Sequence, residues 1–257
     1  MSKLSVVIIT LNEEDNIGPC IDSVQGLADE VIVVDSFSTD RTIAIATQKG
    51  AKVFQHKFEG YTKQKNTAAQ YATHDYVFSI DADERVSAEL YQSILEAKQK
   101  GLIPPGYEMN RLNHLAGKPI KTCGWYPDTK VRLYHKGYGK WTGGLVHEEW
   151  NMTVVARDIT DVDKLSGDLL HYSYNTTGEL KAQVERFAAL AAQGLQHKST
   201  VTLALKLVLS TVAKFIKTYI LYRGFTDGAT GFKICYYQSA ETCMKYYKAL
   251  KLKYAGG

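Results

Sequence analysis

The sequence predicts an α/β protein with a mostly parallel β-sheet flanked by helices. In residues 1–100, short apolar runs alternate with segments of helical pattern, which is the rhythm of parallel strands joined by crossover helices. The first run, residues 4–10, is nearly all apolar and β-branched, as expected for a strand buried on both faces. A chain of 257 residues with 45% hydrophobic content can bury a large core.

The elements of the N-terminal half follow in order along the chain. We expect strands at 4–10, 30–34, 51–54 and 76–80, and helices at 12–27, 40–50, 63–72 and 87–100. Ser87 is placed as the N-cap of the last helix, and Gly101 lies beyond its end. Thr10, Asp35 and Asp81 stand at the carboxyl ends of strands, where such sheets bind ligands. We therefore expect the functional site at this edge.

The second half of the chain has a different pattern. Residues 106–149 are rich in aromatic residues and glycine, and residues 130–134 alternate between polar and apolar, which indicates antiparallel strands. A helix is expected at 177–196. We divide the chain into a ligand-binding half at 1–100, a second half of the same domain at 101–175, and a helical extension at 176–257.

Residues 199–222 are strongly apolar, but their pattern does not predict a membrane span. At 100° per residue, one stripe of the helix collects its polar side chains, which are Ser199, Thr202, Lys206, Ser210, Lys214 and Lys217. A lysine at the bilayer centre costs about 2.5 to 3.5 kcal/mol. The pattern favours an amphipathic helix that lies in an interface or packs on the body.

The net charge of +4 conceals an asymmetry. From Lys198 onward there are ten Lys and Arg residues against two acidic ones, whereas the rest has 21 basic and 25 acidic residues. We expect residues 199–257 to bind the inner leaflet of a membrane, with a homodimer interface as the alternative. Nucleic acid is a poor partner, because the charge is interleaved with apolar stretches.

The cellular location follows from the N-terminus and the cysteines. Residues 1–10 lack the regions of a secretory signal, and the four cysteines show no CxxC spacing. We expect reduced thiols and a cytoplasmic protein, peripheral on the inner membrane if its extension binds lipid.

The segment Ile80-Asp81-Ala82-Asp83-Glu84 places three carboxylates after a buried strand. Unneutralised carboxylates repel one another, and a divalent cation with oxygen ligands, Mg²⁺ or Mn²⁺, removes that repulsion. Because Mg²⁺ fills its shell with phosphate oxygens, the expected ligand is a diphosphate. The alternative is a turn or helix start that simply favours aspartate.

Polar residues after the first two strands point to a nucleoside. Asp35 can accept hydrogen bonds from a base or ribose, whereas Asp40 is expected to cap the next helix. Glu13 and its neighbour Glu14 are also explained by a helix N-terminus. Lys65 either offsets phosphate charge or lies on a solvated helix face.

These segments together resemble the nucleotide-binding half of family 2 glycosyltransferases. The matching pieces are SVVIITLNEEDNI, VIVVDSFSTDRT, KQKN and FSIDADE. Two later pieces, TGGLVHEEW and GFTDGATGF, resemble the lipopolysaccharide-core glucosyltransferase branch, so the resemblance covers essentially the whole chain.

The resemblance implies a GT-A fold and an inverting transfer of a hexose, glucose being expected, from a UDP-sugar to a lipid-linked glycan such as lipopolysaccharide core. By motif position, the nucleotide-sugar ligands are Thr10, Asn12, Glu13, Asp35, Lys65 and Asp81. The implied ligands of Mg²⁺ or Mn²⁺ are Asp83, Asp81 and His171. A lone histidine such as His171 is also often purely structural.

An inverting transfer needs a general base. The resemblance assigns Glu148 to this role, with His147 beside the metal or diphosphate; Glu149 is an alternative base, and an exposed strand end with charged residues is the non-catalytic explanation. Arg132 either meets an acceptor phosphate or occupies an exposed strand position.

Two other functions compete with sugar transfer. A nucleotidyltransferase also joins an α/β sheet to metal-binding carboxylates, but it favours a glycine-rich phosphate loop where this chain has residues 11–14, Leu-Asn-Glu-Glu. A non-catalytic module that binds membrane surfaces is the other alternative.

Overall fold

The computed structural model describes residues 2–143, 148–154 and 161–255. The chain forms two compact units. The first contains residues 1–111 and 128–171, and the second contains residues 112–127 and 172–257.

The strands and helices have the following bounds. The strands are β1 (Leu4–Thr10), β2 (Glu30–Asp35), β3 (Lys52–Gln55), β4 (Tyr76–Asp81), β5 (Glu84–Val86), β6 (Gly106–Leu115), β7 (Lys118–Pro119), β8 (Asp128–His135), β9 (Gly139–Thr142), β10 (Glu149–Met152) and β11 (Asp163–Tyr174). The helices are α1 (Ile17–Val24), α2 (Thr42–Gln48), α3 (Tyr61–Tyr71), α4 (Ala88–Lys100), α5 (Thr177–Gln193), α6 (Thr200–Ile216) and α7 (Gly228–Ala255). A π-helical turn over Lys217–Leu221 and a 3₁₀ turn over Gly224–Asp227 separate the last two helices.

The main sheet has the strand order β3-β2-β1-β4-β8-β6-β11-β5. The pairs β1–β2, β1–β4 and β2–β3 are parallel, whereas β4–β8, β6–β8 and β5–β11 are antiparallel. A separate two-stranded ribbon joins β9 and β10. The predicted fold class is confirmed: parallel strands dominate the N-terminal half, antiparallel strands follow, and the C-terminal region is helical.

Strand β1 is buried along its whole length because both of its faces are covered. One face contributes Val6 and Ile8 to a core cluster that includes Ile17 and Ile21 of α1. The other face contributes Ile9 to a second cluster that includes Ala68 of α3. The nearly continuous apolar run is explained by this arrangement, since no position of the strand faces water.

Some predicted bounds differ from the structure. The helix expected at 12–27 spans only Ile17–Val24, because Asn12 has a φ of 54° and the residues after it form turns. The short strand β5 was not predicted. The predicted N-cap is confirmed, since the Ser87 hydroxyl accepts a hydrogen bond from the Leu90 amide, and Gly101 ends α4 with a φ of 107°.

The second unit is built around α5, α6 and α7. Its buried apolar residues form two clusters, one with Leu180, Val184 and Ile234, the other with Leu203 and Tyr246. The cysteines are free thiols, as predicted. Across the described ranges, no helix has both the length and the apolarity needed to cross a bilayer.

Candidate active site

The parallel strands bring three predicted residues to one edge of the sheet. Thr10 pairs with Asp35, and Ile9, which precedes Thr10, pairs with Asp81. Asp35 is fully buried, and its carboxylate accepts hydrogen bonds from the Ser38 amide (2.8 Å) and the Ser38 hydroxyl. The Thr10 hydroxyl is buried and has no hydrogen-bond partner within the described ranges. A ligand at this edge could therefore bond to the Asp35 carboxylate, which Ser38 holds in position, and to the Thr10 hydroxyl.

The loops that follow β1 and β2 are hydrogen-bonded to each other. The Asn12 amide donates to the Ser38 hydroxyl, and the Asn12 side-chain oxygen accepts from the Thr39 amide, both at 2.8 Å. Asp40 accepts a hydrogen bond from the amide of Thr42 (2.9 Å), the first residue of α2, from one position before the N-cap residue Arg41. These bonds fix the left-handed backbone of Asn12 at the rim of the site.

Glu13 lies in an acidic part of the site. Burial raises its pKa above the usual value; a hydrogen bond from Asn16 opposes the shift, and repulsion from Asp83 and Asp40 adds to it. The Asn16 side-chain amide donates to Glu13 at 2.8 Å. Glu13 and Asp83 are thus close enough to influence each other electrostatically, as residues of one ligand site should be.

Lys65 is the centre of a buried ion-pair network. Its ammonium lies 3.2 Å from Asp81 Oδ1 and 2.8 Å from Glu148 Oε1, and 4.8 Å from the ring centre of Trp141. The Lys65 side chain is fully buried, so the alternative of a solvated helix face is wrong. The cation joins the end of β4 to the residue before β10.

Arg132 is the second buried cation of the site. Its position between Asp81 and Glu84 was not predicted. Its Nη2 lies 2.7 Å from Glu84 Oε1 and 3.1 Å from Asp81 Oδ2, and the residue is only 3% exposed. The alternative of an exposed strand position is therefore wrong. Burial lowers the pKa of Arg132, but the adjacent carboxylates of Glu84 and Asp81 outweigh burial and raise it.

The two cations change the argument for a metal at this edge. Glu84 is fully buried, bonded to Arg132, and accepts a hydrogen bond from the Asp81 amide at 2.9 Å. Two of the three crowded carboxylates, Asp81 and Glu84, are thus neutralised by protein cations. Of the three, only Asp83 has no lysine or arginine partner among the described ion pairs. Its negative charge is therefore the one available to bind a divalent ion.

Asp81 and Glu148 are both held in the ionised form. Burial raises the pKa of Asp81, but the charges of Lys65 and Arg132 outweigh burial and hold the pKa well below its usual range. For Glu148, burial again raises the pKa, and the charge and hydrogen bond of Lys65 lower it overall.

Asp83, in the turn between β4 and β5, and His171 of β11 form a separate pair. His171 Nε2 lies 3.2 Å from Asp83 Oδ2, and both side chains are largely buried. The pair arises because His171 is opposite Glu84 in the antiparallel β5–β11 ladder. Within the part of the chain that is described, no three His, Cys, Asp or Glu side chains cluster as a metal site. The donor set fits a cation whose remaining ligands are phosphate oxygens and water.

The predicted base lies at the edge of a gap in the description. His147 is outside the described residues. Glu148 is half-buried against Lys65, whereas Glu149 is exposed and pairs with Thr142 in the β9–β10 ribbon. Of the two glutamates, Glu148 is the one connected through Lys65 to Asp81.

The comparisons with known proteins identify the family of the chain. The family model described as glycosyl transferase family 2 matches residues 5–140. An uncharacterized glycosyltransferase of Rickettsia typhi is 32% identical over 244 residues, which is 90% of this chain and 81% of that protein. The lipopolysaccharide core biosynthesis glycosyltransferase LpsC of Rhizobium meliloti is 27% identical over 246 residues, with 89% and 87% covered.

Among solved structures, a partial match is glucosyl-3-phosphoglycerate synthase from Mycobacterium tuberculosis in complex with Mn²⁺, uridine diphosphate and glucosyl-3-phosphoglycerate. It shares 28% sequence identity, 44% of each chain is covered, and the TM-score is 0.37.

Proposed function

Because this chain belongs to glycosyl transferase family 2, we propose that it transfers a hexose, with glucose expected, from a UDP-sugar to a hydroxyl of a lipid-linked glycan. The observation that supports this proposal most directly is the buried network of Lys65, Asp81 and Glu148 at the carboxyl edge of the parallel strands. The similarity to LpsC supports lipopolysaccharide core as the acceptor.

The donor nucleotide is proposed to bind across the ends of β1, β2 and β4. Asp35 and Thr10 offer a buried carboxylate and hydroxyl to the base or ribose, and Asn12 and Glu13 line the adjoining loop. Lys65, the buried cation beside Asp81, would offset the negative charge of the diphosphate. Binding there exchanges a carboxylate partner of Lys65 for a phosphate one.

Glu148 is proposed to act as the general base, with His147 beside the metal or diphosphate. The acceptor hydroxyl oxygen attacks the anomeric carbon while Glu148 takes the hydroxyl proton, and the bond to the diphosphate breaks with its electron pair leaving on UDP. This single displacement inverts the anomeric configuration. Lys65 keeps Glu148 ionised at neutral pH, so the carboxylate can accept the proton, although the same ion pair lowers its basicity.

Asp83 and His171 are proposed as protein ligands of Mg²⁺ or Mn²⁺, with Asp81 at the ribose or the metal shell. When bound, the cation neutralises charge that develops on the leaving diphosphate. Asp83 and His171 would hold this cation beside the diphosphate. Lys65 and Arg132 keep Asp81 ionised.

The competing functions are less well supported. A nucleotidyltransferase would need a glycine-rich phosphate loop, and the turn after β1 contains the sequence Leu-Asn-Glu-Glu and no glycine. A purely non-catalytic module would have no need for a buried cation beneath ionised carboxylates, since such burial is costly to stability.

A donor screen tests the proposal. UDP release is measured across UDP-sugars with Mn²⁺ or Mg²⁺ and a lipid-linked glycan acceptor, and we expect turnover with one UDP-hexose. Asp83→Asn should lower this turnover by about a hundredfold. Asp163→Asn, an exposed aspartate on β11, is the matched control and should retain turnover. Absence of turnover with every nucleotide sugar would refute the proposal.

A further inference from the structure

Helix α6 exposes an apolar face along its whole length. The outward residues are 47% to 70% exposed and recur at helical spacing, and they are Val201, Leu205, Val208, Leu209, Val212 and Ile216. The π-helical turn that follows adds Ile220 and Leu221, which are also exposed. Contiguous apolar surface of this kind is uncommon on proteins without a partner and marks an interaction site.

The opposite side of α6 is already packed. Leu203 is fully buried in a cluster with Tyr246 and Ala249 of α7. Further along, Phe215 packs edge-to-face against Phe232 of α7, with ring centres 5.9 Å apart. The exposed apolar face is therefore a second apolar surface of the same helix.

The polar stripe of α6 lies towards the packed side. Thr202, Lys206, Ser210 and Lys214 are half-buried, while the aliphatic residues face outward. This orientation is the reverse of an ordinary surface helix, which turns its apolar stripe to the core. An outward apolar face needs a partner that is itself apolar.

The charge around this face identifies the class of partner. From Lys198 onward there are ten basic residues and two acidic ones, and Lys217, Arg223 and Lys233 are exposed beyond the end of α6. A two-fold dimer through this face would place the same basic surface on both copies, so like charges would meet. Anionic lipid supplies both apolar chains and the opposite charge.

We propose that the outward face of α6 binds the surface of a bilayer that contains anionic lipid, with the helix lying parallel to the membrane plane. The stripe from Val201 to Ile216 is about 22 Å long at 1.5 Å per residue, enough to embed as one continuous edge. The aliphatic side chains enter the boundary between headgroups and acyl chains, and the nearby cations contact lipid phosphates.

Vesicle co-sedimentation of the full chain tests the apolar part of this proposal. The chain should bind phosphatidylcholine vesicles containing phosphatidylglycerol, and Leu205→Gln with Leu209→Gln should weaken binding by about tenfold or more. The matched control replaces two exposed aliphatic residues elsewhere, Ile103→Gln with Leu190→Gln, and should bind as the unmodified chain does. Equal weakening in both double variants would overturn the proposal.

A second pair of variants tests the charge. Lys217→Gln with Lys233→Gln should weaken binding to anionic vesicles by about tenfold, whereas the exposed pair Lys57→Gln with Lys100→Gln should not. Neutral phosphatidylcholine vesicles should bind the chain weakly. Binding is measured without nucleotide or metal, so the result is independent of the proposed sugar transfer.

The oligomeric state in solution shows whether the outward face of α6 binds a second copy of the chain instead of lipid. If the chain does not bind anionic vesicles, the proposal is wrong whatever its oligomeric state. If it is then dimeric by light scattering, and the Leu205→Gln, Leu209→Gln variant is monomeric, the face binds a second copy of the chain. If both proteins are monomeric, this face binds neither lipid nor a second copy.

Discussion

Lys65 and Arg132 show how the site tolerates several carboxylates in a small buried space. Lys65 contacts Asp81 and Glu148, and Arg132 contacts Asp81 and Glu84. An isolated buried charge costs several kcal/mol, whereas a paired and hydrogen-bonded one is tolerated. Each cation is therefore needed for its carboxylates to remain ionised, and removing one leaves the other charges uncompensated.

Replacing Lys65 by methionine should destabilise the fold. Lys65→Met leaves Glu148 without its cation and Asp81 with only Arg132, and we expect the free energy of unfolding in urea to fall by about 3 kcal/mol. Lys63→Met is the control on the same helix, because Lys63 is 59% exposed and pairs with Glu59 at the surface. It should cost less than about 1 kcal/mol.

A second substitution distinguishes lost charge pairing from lost packing. Adding Glu148→Gln to Lys65→Met removes a carboxylate that needed the cation, so part of the lost stability should return. Equal losses for the Lys65 and Lys63 variants, or no recovery in the double variant, would contradict the role given to this ion pair.

The positions of Asp35 and Asp81 at strand ends could be predicted from sequence, but their partners could not. An apolar run shows where a strand ends, and the parallel arrangement puts those ends at one edge. The pairing of Arg132 with Asp81 depends on β8 lying next to β4 in the sheet, and no local pattern encodes that neighbour. For that reason Arg132 was expected either to meet an acceptor phosphate or to occupy an exposed strand position, and neutralisation of the three carboxylates was assigned to a metal.

At the scale of elements, Glu30 connects the start of β2 to β1 and to Thr73 through hydrogen bonds. Its carboxylate accepts hydrogen bonds from the Ser5 hydroxyl of β1 (2.6 Å) and from the amide and hydroxyl of Thr73 (both 2.7 Å). Burial raises the pKa of Glu30, but these bonds outweigh it and lower the pKa to about 2. The folded state thus favours the ionised form.

This arrangement predicts a dependence of stability on pH. The lowered pKa contributes stability above the unfolded value of 4.5, and that contribution is lost as pH falls towards 2. The stability advantage of the unmodified chain over Glu30→Gln should shrink by about 2 kcal/mol between about pH 6 and about pH 3 in urea unfolding. Glu96→Gln, an exposed site on α4, should show a nearly constant difference. A constant difference for Glu30→Gln as well would refute this account.

Gly167 allows β11 to pass close to the start of α4. Its φ is +88°, and a Cβ there would lie 2.3 Å from the Leu90 amide nitrogen. Gly167→Ala should lower the free energy of unfolding by about 3 kcal/mol or more, since it adds a backbone clash to the cost of positive φ. Gly50→Ala has a similar φ of +83° with nothing within 4 Å, and should cost only about 1 kcal/mol. Equal costs would mean that the close approach is unimportant.

Elements with strong periodicity were predicted well, and short ones were not. Strand β1 matches its predicted bounds because a seven-residue run in which Ser5 and Thr10 are the only polar residues has no competing interpretation. Strand β5 has three residues, and its pairing with β11 joins segments that are about 80 residues apart, so neither period nor length reveals it. The shortened α1 reflects the hydrogen bonds between Asn12 and the loop after β2, which hold this segment out of the helix.

At the scale of the whole molecule, the sequence shows that α6 is amphipathic but not which of its faces is covered. The hydrophobic period gives the stripes, while their orientation depends on contacts with α7 that are distant in sequence. Similarly, the second unit is discontinuous, since it joins residues 112–127 to residues 172–257, and composition alone indicated no boundary at residue 112 or 127. Both features follow from tertiary packing, which overrides the local pattern.

The proposed donor site lies entirely within the first unit, so binding should be linked to the stability of that unit. A ligand that binds only the folded state at a hundred times its dissociation constant stabilises by about 2.7 kcal/mol. We expect UDP with Mn²⁺ to raise the melting temperature of the chain, and Mn²⁺ to add to the shift given by UDP alone. In Asp83→Asn the contribution of Mn²⁺ should disappear, while Asp163→Asn should keep it. An undiminished Mn²⁺ contribution in Asp83→Asn would place the metal away from Asp83 and His171, because a cation that stabilises the folded chain must lose affinity when its carboxylate ligand becomes an amide.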